Sequence, residues 1–242
     1  MDISRLILSA LAALVALTMH EFAHGYVACK LGDDTAKSQG RLSLNPMKHL
    51  DPFGALCMVL FHFGWAKPVP IDPRNFKNPR RGFAVTALSG PLANILIAFF
   101  ASLLYLVCLS NLTETNSAFL NNIQINTTLF LMYFFSINIG LGIFNLIPVP
   151  PFDGSRILNV VLPQKLYFKV MKYEKQMYWG VIAWLFFGQY VYYALLSVPM
   201  IANTPLLSSV ARIFSLSDIL GDAINGIANG MLNFWRLIPI FR

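Results

Sequence analysis

The chain has 242 residues, of which 12% are charged and 56% are hydrophobic. Because a soluble domain has about 25% charged residues, this chain has too few charges to cover a water-facing surface of its size. Its three cysteines are too few and too scattered for a disulfide framework. The basic residues behind the net charge of +7 lie in short links between apolar segments and form no stripe, which argues against a nucleic-acid partner. Composition therefore predicts an integral membrane protein.

The apolar segments predict a bundle of membrane helices. Residues 6–31 are long enough to span a bilayer, whereas residues 52–66 are too short and contain proline and glycine, so we expect a re-entrant or β-hairpin element there. Three further runs without charges predict helices near 83–109, 127–147 and 177–199. The predicted fold is therefore an all-α polytopic membrane protein of about four to six transmembrane helices.

The last forty residues have a different pattern. Apolar residues from Leu220 to Trp235 recur at helical spacing opposite a row of Asp and Asn residues, which predicts an amphipathic helix. Such a helix can lie in the membrane interface, or it can pack against the bundle as another span. We therefore divide the chain into a core of residues 1–200 and a C-terminal amphipathic, interfacial region of residues 201–242.

The links between the segments predict the orientation. Links 67–81 and 150–176 are rich in Lys and Arg, whereas link 110–126 is rich in Asn and has no basic residue. Positive links face the cytoplasm, so the first two links are expected inside and the third outside. The cytoplasmic half of the first helix then contains the group formed by His20, Glu21 and His24, at membrane depth.

That group is an H-E-x-x-H sequence, His20-Glu21-Phe22-Ala23-His24. Positions i and i+4 project from one face of a helix, so both imidazoles can reach one metal ion, with Glu21 beside a metal-bound water as its base. The alternative is two packing histidines bonded to backbone carbonyls, with Glu21 paired to a basic residue. Three ionisable groups at membrane depth are costly and normally mark function, which favours the metal site.

A catalytic metal site of this kind needs a third protein ligand and one open position. The candidates are His49, Asp51, His62 and Asp153. Asp153 follows a segment with three prolines in four positions, where a regular helix is not possible, and unwound backbone at membrane depth normally lines a site. We therefore expect Asp153 to be the third ligand, on a non-helical segment; the alternative is an Asx-turn at the start of a helix.

The motifs resemble those of the site-2 proteases, which are intramembrane zinc metalloproteases. The resemblance is given by the segments His20–Gly25, Gly40–Pro46, His49–Gly54, Trp65–Pro70, Gly90–Asn94 and Phe144–Gly154. It implies that His20, His24 and Asp153 bind Zn²⁺ and that Glu21 is the catalytic base. It also implies cleavage in or near the transmembrane segments of single-pass proteins within the bilayer, in regulated intramembrane proteolysis. The expected form is the core enzyme without PDZ or nucleotide-binding domains.

Two side-chain amides are candidates for contact with the substrate. Asn94, which belongs to one of these motifs, and Asn145 could donate a hydrogen bond to the oxyanion that forms during peptide hydrolysis. For either residue the alternative role is a hydrogen bond between helices.

Two other functions would use the same residues. One is a membrane metal transporter or sensor, and the other is a catalytically silent relative that only binds helices. A single ligand cluster, the lack of repeated halves and the adjacent Glu21 favour the protease. We expect a multi-pass protein of the bacterial cell membrane with its site toward the cytoplasm; substrate identity and oligomeric state do not follow from the sequence.

Overall fold

The architecture is helical. A computed structural model describes residues 3–54, 57, 65–113 and 116–238, and within these ranges there is no β-strand. The α-helices are α1 (Ile3–Lys30), α2 (Thr35–Ser38), α3 (Pro79–Ser110), α4 (Ala118–Asn145), α5 (Asp153–Val161), α6 (Gln164–Met171), α7 (Glu174–Leu196), α8 (Pro199–Ala202), α9 (Pro205–Ala211) and α10 (Leu216–Arg236). Short 3₁₀ turns lie at Pro46–Lys48, Pro73–Asn75 and Arg212–Phe214. Helices α1, α3, α4 and α7 are long and apolar enough to cross a membrane, which confirms the predicted all-α polytopic fold.

Helices α3 and α4 begin earlier than the sequence predicted, because polar residues cap them. The side chain of Asn78 accepts a hydrogen bond from the backbone N–H of Arg81, and Pro79 occupies the first position of α3, where its missing N–H costs nothing. Ser117 caps α4 in the same way, through the N–H of Leu120. The charged first turn of α3 and the Asn-rich first turns of α4 are therefore helical, although their hydropathy is low.

Helix α3 is the centre of the bundle and packs against α1, α4, α5 and α10. Its contact with α4 is close, since a Cβ atom built on Gly142 would lie 2.7 Å from Ile95 Cδ1. Small residues at such an interface let helix backbones approach, and in lipid this packing stabilises helix pairs. The buried apolar cluster between α3 and α4 consists of Ala98, Ala101, Phe135 and Ile139.

Helix α10, near the C-terminus of the chain, packs against α3 and α4. Ile224 and Met231 pack against the α3–α4 cluster, and the Nε1–H of Trp235 donates to the carbonyl of Phe99 at 3.1 Å and to Ser102 Oγ at 3.0 Å. Helix α7 in turn contacts α8, α9 and α10. The division of the chain at residue 200 and the interfacial position of the C-terminal region stay predictions.

The link between α1 and α3 is held by polar contacts. Asp33 is fully buried and accepts hydrogen bonds from the N–H of Asp72 at 2.7 Å and from Asn75 Nδ2 at 2.8 Å. Further along, Leu50 and Ala66 form an isolated antiparallel bridge. Most of the predicted re-entrant or hairpin element at 52–66 lies outside the described residues. This link therefore folds back over the end of α1 that contains the histidines.

Candidate metal centre

Helix α1 places His20 and His24 on one face, one turn apart. Both side chains are buried, with 5% and 6% exposure, and their Nε2 atoms are 3.0 Å apart. The two rings pack edge to face, with centroids 4.5 Å apart, and each points its Nε2 atom to the same small space. The predicted i, i+4 arrangement is therefore the one that the helix has.

Asp153 comes to the same space from a different part of the chain. Helix α4 ends at Asn145, residues 146–152 are not helical, and Asp153 is the first residue of α5, so the predicted non-helical position of Asp153 is wrong by one residue. Its side chain does not cap α5; instead Oδ2 lies 3.2 Å from the Nε2 atom of each histidine. Gly154 permits this position, because a Cβ atom there would collide with the carbonyl of Leu146 at the end of α4.

The three side chains have the geometry of a metal-binding group. The ligand atoms of His20, His24 and Asp153 all lie within 4.8 Å of one another, and no other group of this kind is found among the described residues. Four ligands placed tetrahedrally around zinc at 2.0–2.1 Å are separated by about 3.3 Å, which is close to the separations here. Two nitrogen lone pairs and a carboxylate at such distances repel one another unless a proton or a metal cation lies between them. The donor set therefore fits a divalent metal.

The outer nitrogen of each imidazole is bonded to an oxygen atom. His24 Nδ1 donates to the carbonyl of Thr86 at 2.7 Å, and His20 Nδ1 lies 2.6 Å from Asn94 Oδ1. A hydrogen bond at Nδ1 fixes the ring orientation and leaves the Nε2 lone pair for a metal. Both oxygens belong to α3, so this helix orients the two imidazoles of α1.

Gly90 brings the backbone of α3 against the two rings. A Cβ atom at this position would collide with His24 and would lie 2.7 Å from His20 Cε1. Glycine is therefore required at position 90 by the close approach of the helix to both imidazoles.

Glu21 lies beside the group but is held separately from it. Its Oε2 atom accepts a hydrogen bond of 2.8 Å from the backbone N–H of Val69, in the extended segment that follows the Leu50–Ala66 bridge. No sequence motif indicates this contact, because a backbone donor leaves no signal in a pattern of side chains. The carboxylate of Glu21 is thus oriented by the link between α1 and α3.

The two amide candidates have different environments. Asn94 is fully buried, and its Nδ2 group donates to Asn138 Oδ1 at 2.7 Å and to the carbonyl of Ala16 at 3.3 Å. Asn145 is half-buried at the end of α4 and donates one hydrogen bond, to the carbonyl of Leu141 at 3.0 Å. Both donor hydrogens of Asn94 are therefore in use, whereas Asn145 keeps one.

The other ligand candidates from the sequence do not join the group. His49 is buried and bonded through Nε2 to the carbonyl of Ser43 at 2.7 Å, and Asp51 accepts the N–H of Gly54 at 2.8 Å. His62 lies outside the described residues. Asn138, in contrast, was not predicted, although an amide in the middle of an uncharged span is a signal that could have indicated it.

The fold and the site define an integral membrane protein with a buried group of two histidines and one carboxylate that can bind a metal. A model of the family described as Peptidase family M50 matches residues 8–188, a range that includes all three side chains. The chain belongs to this family, which is that of the site-2 proteases, and this confirms the resemblance of its motifs.

Three relatives extend this comparison. The chain is 38% identical over 202 residues to YwhC of Bacillus subtilis, named as a predicted zinc metalloprotease, and the match covers 81% of this chain and 89% of YwhC. It is 26% identical over 162 residues to Rip2 of Mycolicibacterium smegmatis, also named as a predicted zinc metalloprotease, covering 60% of this chain and 54% of Rip2. It is 30% identical over 151 residues to the zinc metalloprotease MJ0392 of Methanocaldococcus jannaschii, covering 62% of this chain and 33% of that protein. No solved structure matches the chain.

Proposed function

We propose that this protein is an intramembrane zinc metalloprotease that hydrolyses peptide bonds in or near the transmembrane segments of single-pass membrane proteins. The observation that carries the proposal is the convergence of His20 and His24 with Asp153, whose Oδ2 lies 3.2 Å from both Nε2 atoms, beside a glutamate. Membership in peptidase family M50 supports proteolysis as the activity.

The metal is zinc in this proposal. Two imidazole nitrogens and one carboxylate oxygen are ligands that zinc accepts, and three protein ligands leave a position open for water. The names of YwhC and MJ0392 as zinc metalloproteases support the same metal. When bound, zinc supplies an activated water, whose pKa falls toward about 7, and polarises the carbonyl of the scissile bond.

Glu21 moves the proton. It accepts a proton from the water as the scissile carbonyl is attacked, and it returns that proton to the nitrogen of the leaving amine. Because the N–H of Val69 occupies Oε2 of Glu21, the other carboxylate oxygen is the one that takes the proton. Asp153 keeps its negative charge throughout and balances part of the charge of the cation.

A developing oxyanion needs a hydrogen-bond donor besides the metal. Of the two amides considered, Asn145 is the better donor, because one of its two N–H groups has no partner in the hydrogen bonds of the described residues. Asn94 could act in this way only by giving up its bond to Asn138 or to Ala16. The proposal therefore gives Asn145 the contact with the substrate.

The substrate reaches the site from within the membrane. A transmembrane substrate must unwind locally before its scissile carbonyl, which is bonded within the helix, can be attacked. The basic links 67–81 and 150–176 support an orientation with the site toward the cytoplasm of a bacterial cell. These links are polar and provide the path by which water enters. Cleavage in response to a signal, as regulated proteolysis, is part of this proposal.

The proposal is tested with Glu21→Gln and with Glu174→Gln as the matched control. Glu174, at the start of α7, pairs with Arg156 and is not part of the metal group. Proteomic comparison of membranes from wild-type and Glu21→Gln cells identifies single-pass proteins that accumulate uncut, and cleavage of such a protein is then measured with purified enzyme in proteoliposomes. We expect Glu21→Gln to lower kcat by about 10²- to 10⁴-fold with zinc still bound, and Glu174→Gln to cleave normally. Wild-type cleavage by zinc-loaded Glu21→Gln would overturn the proposal.

A further inference from the structure

A chain of buried hydrogen bonds runs from His20 on α1 across α3 to α4. His20 Nδ1 lies 2.6 Å from Asn94 Oδ1, and Asn94 Nδ2 donates to Asn138 Oδ1 at 2.7 Å. Both asparagines have no exposed surface. We call this set of three side chains the amide relay. It connects the metal group to a helix that contributes no ligand to it.

The direction of every hydrogen bond in the relay is determined by two backbone carbonyls. Asn138 Nδ2 donates to the carbonyl of Phe134 at 2.7 Å, and Asn94 Nδ2 donates to the carbonyl of Ala16 at 3.3 Å. A carbonyl can only accept, so the amide nitrogen of each asparagine must face its carbonyl. The oxygen of Asn138 therefore faces Asn94, and the oxygen of Asn94 faces His20.

This direction determines the tautomer of His20. Since Asn94 presents an oxygen to the ring, His20 must donate through Nδ1, and its Nε2 atom then carries the lone pair. His24 has the same tautomer, because its Nδ1 atom donates directly to the carbonyl of Thr86. A backbone carbonyl cannot rotate, whereas the amide of Asn94 can. The orientation of His20 consequently depends on what holds the amide of Asn94, which is the short bond to Asn138 at 2.7 Å together with the longer bond to the carbonyl of Ala16 at 3.3 Å, while that of His24 does not.

We propose that Asn138 is a positioning residue for the metal ligand His20, acting through Asn94. The proposal rests on the function proposed above and adds a role for α4 in it. Without Asn138, only the 3.3 Å bond to the carbonyl of Ala16 holds the amide of Asn94, which can then more easily turn its nitrogen toward His20 and favour the tautomer with the proton on Nε2. That tautomer cannot bind a metal until its proton moves, so metal affinity falls.

The experiment measures the zinc dissociation constant of purified protein by competition with a chromogenic chelator. Removing the partner of a metal-bound histidine costs about 10- to 100-fold in affinity, and Asn138 acts one residue further away. We therefore expect Asn138→Leu to weaken zinc binding by about 3- to 10-fold and Asn94→Leu to weaken it by about 10- to 100-fold. Asn138→Asp, which keeps an oxygen acceptor for Asn94, is expected to bind more tightly than Asn138→Leu. Visible absorption of the Co²⁺-loaded proteins reports the geometry of the ligands independently of activity.

The matched control is Thr128→Val, on the same helix. Thr128 is buried and its hydroxyl donates to the carbonyl of Gln124 at 2.9 Å, within α4, so this variant loses a buried hydrogen bond without touching the relay. Its zinc affinity and Co²⁺ spectrum are expected to equal those of the wild type. If Asn138→Leu does not give a monodisperse protein, Asn138→Ala removes the amide without a longer side chain and is measured instead.

The outcomes separate this inference from the proposed function. If the wild-type protein binds zinc, His20→Ala does not, and Asn138→Leu binds like the wild type, this inference is wrong and the zinc site remains. The inference is also wrong if Asn138→Leu and Thr128→Val lose the same zinc affinity, or if Asn138→Leu and Asn138→Asp do. The acceptor oxygen of residue 138 would then have no effect on zinc binding. A wild-type protein that binds no zinc contradicts the proposed function itself.

Discussion

The backbone N–H of Val69 donates a hydrogen bond of 2.8 Å to Oε2 of Glu21, 48 positions earlier in the chain. The catalytic carboxylate of the proposed mechanism is therefore held by a backbone group of a link, while the metal-binding side chains are held by helices. Hydrogen bonds to a charged group contribute about 1.5–3 kcal/mol, so this contact is strong enough to orient a side chain.

Replacing Val69 with proline removes the N–H and with it the hydrogen bond to Glu21. We expect Val69→Pro to lower kcat by about 10- to 100-fold, the kinetic equivalent of one lost hydrogen bond to a charged group. Zinc content should not change, since Glu21 is not among the three ligand atoms. Val69→Ala, which keeps the N–H, is the control and should retain most of its kcat. Equal kcat values for the two variants would show that the N–H has no part in catalysis.

Replacing Gly90 with alanine places a methyl group where the two imidazoles lie. The added Cβ would be 2.7 Å from His20 Cε1, so the rings or the helix must shift. We expect Gly90→Ala to lose most of its zinc, as measured by elemental analysis of the purified protein. Gly221→Ala is the matched control: a Cβ there meets nothing within 4 Å, and alanine should stabilise α10 by about 0.5–1 kcal/mol. Full zinc content in Gly90→Ala would contradict the close approach of α3.

Replacing Asp153 with alanine removes the only carboxylate oxygen in the metal group of the described residues. With two ligands left, zinc affinity should fall by at least about 10-fold, since a structural or catalytic site normally needs three or four protein ligands. Zinc stoichiometry after dialysis against a weak chelator measures the effect. Asp51→Ala is the control, because Asp51 accepts the N–H of Gly54 outside this group. An unchanged stoichiometry in Asp153→Ala would remove this residue from the ligand set.

Asp33 should make stability depend on pH in the acid range. Burial acts to raise the pKa of its carboxyl, but hydrogen bonds from Thr35, Asn75 and the N–H of Asp72 outweigh it and hold that pKa below its ordinary value. The charged form therefore stabilises the folded protein above the unfolded pKa of about 3.9, and this contribution is lost as pH falls through the lower folded pKa.

The measurement for Asp33 is the Tm in detergent between neutral pH and about pH 3. The Tm of Asp33→Asn should lie below that of the wild type at neutral pH, and the difference should shrink as the pH falls below about 4. Asp34→Asn is the control, since the neighbouring Asp34 is exposed, accepts one hydrogen bond from Cys29 Sγ at 2.9 Å and forms a 4.0 Å ion pair with Lys37. A difference between wild type and Asp33→Asn that is constant over this range would contradict the prediction.

The sequence predicted the spanning helices but not where they begin. Hydropathy places the start of α4 near residue 127, whereas the helix begins at Ala118, because the cap at Ser117 fixes its first turn ahead of the polar residues Asn121 and Gln124. Hydropathy measures transfer into lipid and does not detect a helix that extends into a polar region.

The three side chains of the candidate metal group could be predicted because their residue types and spacing are specific. The groups that form hydrogen bonds with these side chains could not be predicted from the sequence, because their positions depend on how far α3 and α4 are shifted along α1. The sequence offers Asn94 as a candidate donor to substrate; in the structure its oxygen lies 2.6 Å from His20 Nδ1 and its Nδ2 group donates to Asn138. Asn138 has no motif of its own, and its role follows only from its contact with Asn94.

His24 and Asp153 are 129 positions apart, and His20 reaches Asn138 only through the helix between them. During synthesis, α1 enters the membrane long before α3, α4 and α5 leave the ribosome. Until then its histidines and Glu21 have none of the partners described above, and unpaired polar groups in lipid are costly. The nascent first span must therefore remain close to the insertion machinery, or to water, until residue 153 has been translated, and the three-ligand zinc site of the proposed function is complete only after that point.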